Sequence, residues 1–163
     1  MAQNTGQIGI QATAVISGSF LSGAMTSLSL ITIPVILDTG TQSKQLLDQF
    51  VALYNYGHRI MPALSVTTCA LYGFVANSKR AAGDPWSIYG VAAATTIAMV
   101  PFTWIFMVPI NNTLFALHAA ASDAALEEVR GLSVQWQWLH VARSLFPLAG
   151  AIIGWKALRA ALR

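Results

Sequence analysis

The sequence predicts an all-α protein that is integral to a membrane, with four helices in a bundle. Of its 163 residues, 55% are hydrophobic and only 9% are charged, whereas soluble domains carry about 25% charged residues. So few charges cannot cover a water-exposed globule of this size, and four apolar segments reach the roughly 20 residues that a spanning helix needs. We therefore expect a single transmembrane domain over residues 1–163, with spans at about 10–37, 57–77, 86–110 and 134–155.

The first predicted span holds no charged residue and is rich in small ones. Gly18 with Ser22, and Ser19 with Gly23, have the small-xxx-small spacing that lets membrane helices approach closely. These faces suit helix packing, and they allow a homo-oligomer without requiring one. Cys69, the single cysteine, excludes an internal disulfide and a cysteine-rich metal site.

Prolines are expected to end or bend the helices. Pro34 is expected to mark the end of the first span, and Gly57 with Pro62 to mark a kink where the second span enters the bilayer. Pro109 stands near the end of the third span. Residues 111–133 then predict a polar connection that contains an acidic helical piece.

The placement of charges predicts the orientation of the chain. Four spans place both termini on one side, and that side is mainly basic, with Asp84 against Lys79, Arg80, Lys156, Arg159 and Arg163. The other side is mainly acidic, with Lys44 and Arg130 against Asp38, Asp48, Asp123, Glu127 and Glu128. By the positive-inside bias both termini are cytosolic. Trp86 and Tyr89 fit an aromatic belt at the entry of the third span.

Polar residues of three spans are expected at one depth on the non-cytosolic side. They are His58 and Arg59 at the entry of the second span, Asn111 and Asn112 at the exit of the third, and Trp136, His140 and Arg143 early in the fourth. The last three are spaced i, i+4 and i+7, which places them on one helix face. A charged residue some 9 to 14 Å into a span normally faces the bundle interior with a partner.

These residue types favour acid–base chemistry. The sequence has no nucleotide-binding glycine loop, no Cys-x-x-Cys and no His-Glu-x-x-His, and no carboxylate lies inside a span, which argues against a di-iron carboxylate site. A histidine flanked by an arginine can act as a base, and arginine and asparagine side chains can stabilise an enolate-like oxygen. The tryptophan, phenylalanine and tyrosine side chains would suit a flat aromatic substrate.

Several alternatives stay open at this point. Copper, iron or zinc held by His58, His140 and His118 is one, because imidazole suits these metals. His118 equally fits a solvated loop histidine, Arg59 a side chain that snorkels to the interface, and Trp104 a belt or packing residue. Nucleic-acid binding has no support beyond the net charge of +3, which the membrane orientation already explains.

At these residues the sequence resembles the anthrone oxygenase family of small membrane proteins. Tyr54, Gly57 and Pro62 suit the family's second helix, and the resemblance covers most of the chain in the order of the family's motifs. Its three main pieces are a small-residue helix at Gly18 to Leu37, Pro101-Phe102-Thr103 through Pro109-Ile110-Asn111-Asn112-Thr113-Leu114, and Trp136-Gln137-Trp138-Leu139-His140-Val141-Ala142-Arg143 with Pro147. Thr113 departs from the longer polar residue that family members often carry.

The resemblance implies a monooxygenase-type enzyme that oxidises an anthrone polyketide to an anthraquinone. The activated methylene would be deprotonated and would react with O₂ as co-substrate, without a required cofactor. His140 would be the base, and Arg143 with Asn111 or Asn112 would hold the oxyanion. The expected substrate-binding residues are Tyr54, His58, Arg59, Thr103, Trp104 and Trp136. The alternatives are a copper- or iron-dependent oxygenase and a non-catalytic membrane scaffold. The membrane would be the endoplasmic reticulum in a fungus, and otherwise the plasma membrane.

Overall fold

The computed structural model describes residues 2–120 and 124–162, and within these ranges every regular element is helical. The elements are α1 (Ala2–Ser27), a first π turn (Leu28–Thr32), α2 (Ile33–Thr39), α3 (Ser43–Ala81), α4 (Ser87–Ile97), α5 (Met99–Phe102), a second π turn (Thr103–Met107), α6 (Val108–Ala119) and α7 (Leu126–Ala161). The predicted all-α, four-helix fold is confirmed. Asp123 and Arg163, which entered the charge comparison, lie outside the described residues.

The elements join into four long helices, each apolar and long enough to cross a membrane. They are Gly6–Thr39, Ser43–Ala81, Ser87–Ala119 and Leu126–Ala161. Apart from Leu162, their large exposed apolar side chains fall within 16–35, 56–74, 86–106 and 134–155. Each of these stretches is about 20 residues, or roughly 30 Å at 1.5 Å per residue, which matches the hydrocarbon thickness of a bilayer.

Two of the four helices continue further than their prolines suggested. The first passes Pro34 and ends at Thr39, and the third passes Pro109 and ends at Ala119. Within the expected connection at 111–133, residues 111–119 therefore continue the third helix beyond its predicted span. Each proline stands at the first or second position of the α-segment that follows a π turn. At such a position the missing N–H removes no bond that the segment needs, so the helix continues.

The acidic piece of the expected connection is the start of α7. Glu127 and Glu128 lie in its first turn, and Arg159 lies in its last. In α3 the basic residues Lys79 and Arg80 likewise lie in the last turn. Negative charge near a helix N-terminus and positive charge near its C-terminus both oppose the helix macrodipole and stabilise the ends.

The chain packs as two compact units, and each contains segments of all four long helices. Unit 1 comprises the described residues up to Gly23, Pro62–Met99 and those from Ser144 onward. Unit 2 comprises Ala24–Met61 and the described residues of 100–143. The predicted site residues all belong to unit 2.

Unit 1 is held together by small residues and by buried hydrogen bonds. The Ser22 hydroxyl donates to the Ser144 carbonyl at 2.9 Å, and Gly18 lies against Thr68, Pro147 and Ala151, so this small-residue face packs helices within the unit. Ser19 and Gly23 are exposed. The belt role expected for Tyr89 was wrong, because Tyr89 is buried and its hydroxyl donates to Gln11 Oε1 at 2.8 Å.

Gly154 in α7 permits a close approach of the Tyr72 side chain in unit 1, and replacing it with alanine should destabilise the protein. An added Cβ would lie 2.6 Å from Cε1 and 2.8 Å from Cζ of Tyr72, and that ring is fully buried. Overpacking of this kind typically costs about 1–3 kcal/mol. We expect a clear drop in the thermal midpoint of the detergent-purified Gly154→Ala variant.

Gly73→Ala is the matched control for this substitution. Gly73 is the neighbour of Tyr72 in α3, and an added Cβ there meets nothing within 4 Å. Because alanine is the better helix former, its midpoint should be unchanged or slightly raised. Equal midpoints for the two variants would contradict the assigned packing.

Unit 2 contains the larger apolar core. Nine buried residues form it, with aromatic and aliphatic side chains packed around them: Ile33, Leu46, Leu47, Phe50, Met107, Ile110, Leu114, Val129 and Trp136. Arg130 closes one edge of the unit, where its Nη2 donates to the Gly40 carbonyl at 3.0 Å just after the end of α2. This core holds the segments that carry the candidate site.

Candidate active site

Each of the two π turns in the described residues carries a hydroxyl that contacts a predicted site residue. The first turn contains Ser29, whose hydroxyl contacts His140, and the second contains Thr103, whose hydroxyl contacts Arg143. Each turn precedes a proline by two residues. Proline clashes with the carbonyl four residues back in a regular α-helix, and a widened turn relieves such a clash. Turns of this kind occur often at functional sites.

His140 is buried and hydrogen-bonded on one side of its ring. It is 2% exposed, and its Nδ1 lies 2.8 Å from the Ser29 hydroxyl oxygen. Ser29 is itself fully buried and lies 3.1 Å from the Met25 carbonyl oxygen. The imidazole is thus held from the first long helix, although it belongs to the fourth.

Trp136 lies against a face of the same imidazole. Its ring is stacked on His140 with centroids 4.5 Å apart and planes 21° apart, and Phe50 contacts it edge-on at 5.4 Å. Its indole Nε1 donates to Asn111 Oδ1 at 2.9 Å, and both side chains are buried. Asn111 therefore orients Trp136, and Trp136 in turn fixes the plane of His140.

Arg143 brings a positive charge into the site without an acidic partner. Its Nη1 donates to Thr103 Oγ1 at 3.1 Å, and in residues 2–120 and 124–162 no carboxylate forms an ion pair with it. Its buried Nε has no hydrogen-bond partner within these ranges. A guanidinium that has a donor to spare and no counter-ion is suited to bind an anionic oxygen.

An aromatic series leads outward from the imidazole. Phe50 connects Trp136 to Phe115 and Tyr54, and Tyr54 meets Phe115 edge-on at 4.8 Å. Tyr54 is also stacked on His58 at 5.2 Å, and it lies within electrostatic range of Arg143. These rings give the site the flat, apolar surfaces that an aromatic ligand would contact.

The structure joins five of the predicted site residues in two sets of contacts, Asn111–Trp136–His140 and Thr103–Arg143, and leaves others apart. The five are Asn111, Thr103, Trp136, His140 and Arg143, with Tyr54 and His58 reached through the aromatic series. By contrast Asn112, Arg59 and Trp104 are exposed. Arg59 lies on an open groove with Asn55, Tyr56 and Ile60.

The three histidines of the metal alternative have separate partners. His58 Nδ1 lies 3.0 Å from the Tyr54 carbonyl oxygen, His118 Nε2 lies 3.0 Å from Asp48 Oδ1, and His140 is on Ser29. In the part of the chain that the structure describes, no three histidine, cysteine, aspartate or glutamate side chains converge as metal ligands. The donor set named from the sequence does not fit a metal, and we derive no step through one.

Sequence reasoning missed Ser29, Phe50 and Phe115. Ser29 lies in the small-residue segment that was assigned to helix packing, and a serine there has no distinguishing neighbour in the sequence. Phe50 precedes Tyr54 and His58 at spacings of four and eight, so a helical face through the aromatic residues could have identified it.

Comparison with known proteins finds a family whose members the sequence matches. The family model described as anthrone oxygenase matches residues 50–153. The chain is 56% identical over 154 residues to the anthrone oxygenase tpcL of Aspergillus fumigatus, covering 94% of this chain and 96% of that protein. It is 62% identical over 136 residues to the anthrone oxygenase gedH of Aspergillus terreus, covering 83% and 90%.

More distant relatives match over most of the chain as well. The noranthrone monooxygenase of Aspergillus flavus is 40% identical over 156 residues, which cover 93% of this chain and 74% of that protein. No solved structure matches the chain.

Proposed function

The chain belongs to the anthrone oxygenase family, and from this premise we propose that it oxidises an anthrone to an anthraquinone with O₂. The observation that supports the proposal best is the buried His140 with the half-buried Arg143 one helical turn away, a pair that has no acidic partner in the described ranges. A base and an unpaired cation side by side are the groups that formation of an enolate requires.

The proposed reaction balances without a further oxidant or reductant. The methylene of the central ring loses two hydrogens and becomes a carbonyl, which is a four-electron oxidation, and O₂ accepts the four electrons. One oxygen atom enters the product and the other leaves as water, so the enzyme is of the monooxygenase type. No bound cofactor is required, because the extended aromatic anion can itself deliver electrons to O₂.

Each residue has a part in this scheme. His140 Nε2 takes a proton from the methylene, and Arg143 holds the oxygen on which the negative charge develops. When O₂ has added to the carbon, the protonated imidazole returns its proton to the peroxide oxygen. Removal of the second proton of that carbon then breaks the O–O bond and releases water. Thr103 holds the guanidinium in place through the bond to Nη1.

The aromatic residues would hold the planar substrate. Tyr54 lies within electrostatic range of Arg143 and meets Phe115 edge-on, whereas Trp136 is engaged by His140, Phe50 and Asn111. We therefore assign substrate stacking to Tyr54 and a supporting role to Trp136 and Asn111. Asn112 has no part in this scheme, because it is exposed.

The experiment that tests the function is turnover of a simple anthrone by purified protein under ¹⁸O₂. We expect turnover well above the rate without protein, one ¹⁸O atom in the new carbonyl, and the same rate after treatment with a chelator. A rate equal to that of the protein-free solution would support the scaffold alternative. Loss of activity with a stoichiometric metal would support the metal-dependent oxygenase.

We further propose that both termini face the cytosol, in the endoplasmic reticulum membrane of a fungal cell. In unit 1 the basic residues Lys79, Arg80, Lys156 and Arg159 outnumber Asp84. In unit 2 the described residues outside the predicted spans include Lys44 and Arg130 against the acids Asp38, Asp48, Glu127 and Glu128. Positive residues favour the cytosolic side. Single cysteines placed at Lys156 and at Lys44, in a protein without Cys69, should be labelled from opposite sides of sealed microsomes. The reverse labelling would overturn the orientation.

A further inference from the structure

Ser29 is the one buried hydroxyl that contacts the His140 ring among the described hydrogen bonds, and nothing in the sequence marks it. It lies in the first π turn, on a different long helix from His140. We propose that Ser29 is a positioning residue that fixes the tautomer of His140, with the proton on Nδ1 and the lone pair on Nε2. The proposal rests on the proposed function, because it explains how the base is kept ready.

The two contacts of the Ser29 hydroxyl are the basis for assigning the donor in this pair. The Ser29 hydroxyl has one proton and two contacts, the Met25 carbonyl at 3.1 Å and His140 Nδ1 at 2.8 Å. A carbonyl can only accept, and a serine hydroxyl within a helix commonly donates to the carbonyl four residues back. With its proton so used, the Ser29 oxygen accepts from Nδ1–H.

The consequence concerns the other ring nitrogen. A neutral imidazole carries one proton, so a proton on Nδ1 leaves Nε2 as the acceptor. The stack with Trp136 fixes the ring plane, and Ser29 fixes which edge carries the lone pair. This division matches that in other acid–base sites, where the bond made by one nitrogen sets the state of the other.

The two π turns then have the same role, which is to hold a site residue through a hydroxyl group. Ser29 in the first turn holds His140, and Thr103 in the second holds Arg143. Pro34 and Pro109 follow these turns at the same distance. The prolines of the first and third helices are therefore placed to support the turns that make the two hydroxyl contacts of the site.

The tautomer can be measured directly by NMR of protein labelled with ¹⁵N-histidine. The chain has three histidines, and single substitutions of His58 and His118 assign their signals, so that of His140 is identified by elimination. We expect the His140 spectrum to show a protonated Nδ1 and an unprotonated Nε2. A proton on Nε2 in the unsubstituted protein would overturn the proposal, whatever the activity.

Ser29→Ala tests the consequence for the reaction. We expect kcat to fall about tenfold, the worth of one hydrogen bond, with KM little changed and with the Nδ1 preference of His140 lost. Ser133→Ala is the matched control, because Ser133 is also buried in unit 2 and donates to the carbonyl four residues back, Val129, at 2.8 Å. Its kcat and its His140 spectrum should be unchanged.

The outcomes separate this proposal from the proposed function. An active protein in which Ser29→Ala has unchanged kcat would overturn the positioning role and leave the function standing. If the protein shows the expected tautomer but does not turn over anthrone, the assignment of the hydrogen bond stands and the proposed function is overturned. If Ser29→Ala does not fold, the spectrum of the unsubstituted protein still decides the tautomer.

Discussion

His140→Ala is expected to lower kcat for anthrone oxidation by about 10²- to 10⁴-fold, which is the usual contribution of a positioned general base. His140 is buried, with Ser29 hydrogen-bonded to its Nδ1 and Trp136 stacked on its ring face. The measurement is the initial rate of quinone formation by protein in detergent, corrected for the oxidation of anthrone without protein.

His118→Ala provides the control for loss of a histidine. His118 is bonded to Asp48, and its side chain is 38% exposed, so its removal should leave the rate unchanged. Equal rates for the His140→Ala variant and the unsubstituted protein would remove His140 as the base. A loss of activity in His118→Ala as large as that in His140→Ala would instead favour the metal alternative, in which both are ligands.

Arg143→Met is expected to lower kcat/KM for anthrone oxidation by about 10²- to 10³-fold, the effect of losing one group that stabilises an oxyanion. Methionine has similar bulk and removes both the charge and the unpartnered Nε. Arg143→Lys keeps a charge but loses the planar donor set, so it should recover part of the rate. Arg159→Met, on the exposed end of α7, should retain the full rate.

This prediction separates charge from packing. If the charge at position 143 binds the developing oxyanion, the rate decreases from the unsubstituted protein to Arg143→Lys and then to Arg143→Met. The thermal midpoints of the three proteins need not follow that order. A methionine variant as active as the unsubstituted protein would show that Arg143 has a structural role only. Rates that fall in parallel with the thermal midpoints of the three proteins would also show a structural role only.

The sequence was sufficient for the fold class because the relevant physics is compositional. Few charges and four long apolar segments require helices that satisfy their own backbone hydrogen bonds in a membrane. The ends of the helices were less predictable. Pro34 and Pro109 resemble helix stops in the sequence, and only the structure shows that a π turn before each one lets the helix continue.

The centre of the site could be predicted from helical periodicity, whereas its supports could not. Trp136, His140 and Arg143 share a face by their spacing alone, and the structure places the first two in contact. Asn111 and Asn112 are adjacent, so periodicity cannot tell which one faces inward; burial shows that it is Asn111. Ser29 is 111 residues away from His140 along the chain, and no local pattern reveals such a contact.

The most direct test of the account is to mix the protein with an anthrone in the absence of O₂. The central claim is that His140 removes the methylene proton before oxygen reacts, so the anion should accumulate and be visible by its absorption at longer wavelength. We predict this absorption with the unsubstituted protein, its conversion to that of the quinone when O₂ is admitted, and its absence with His140→Ala. An anion of equal amount with His140→Ala, or turnover by a protein that never forms the anion, would contradict the account.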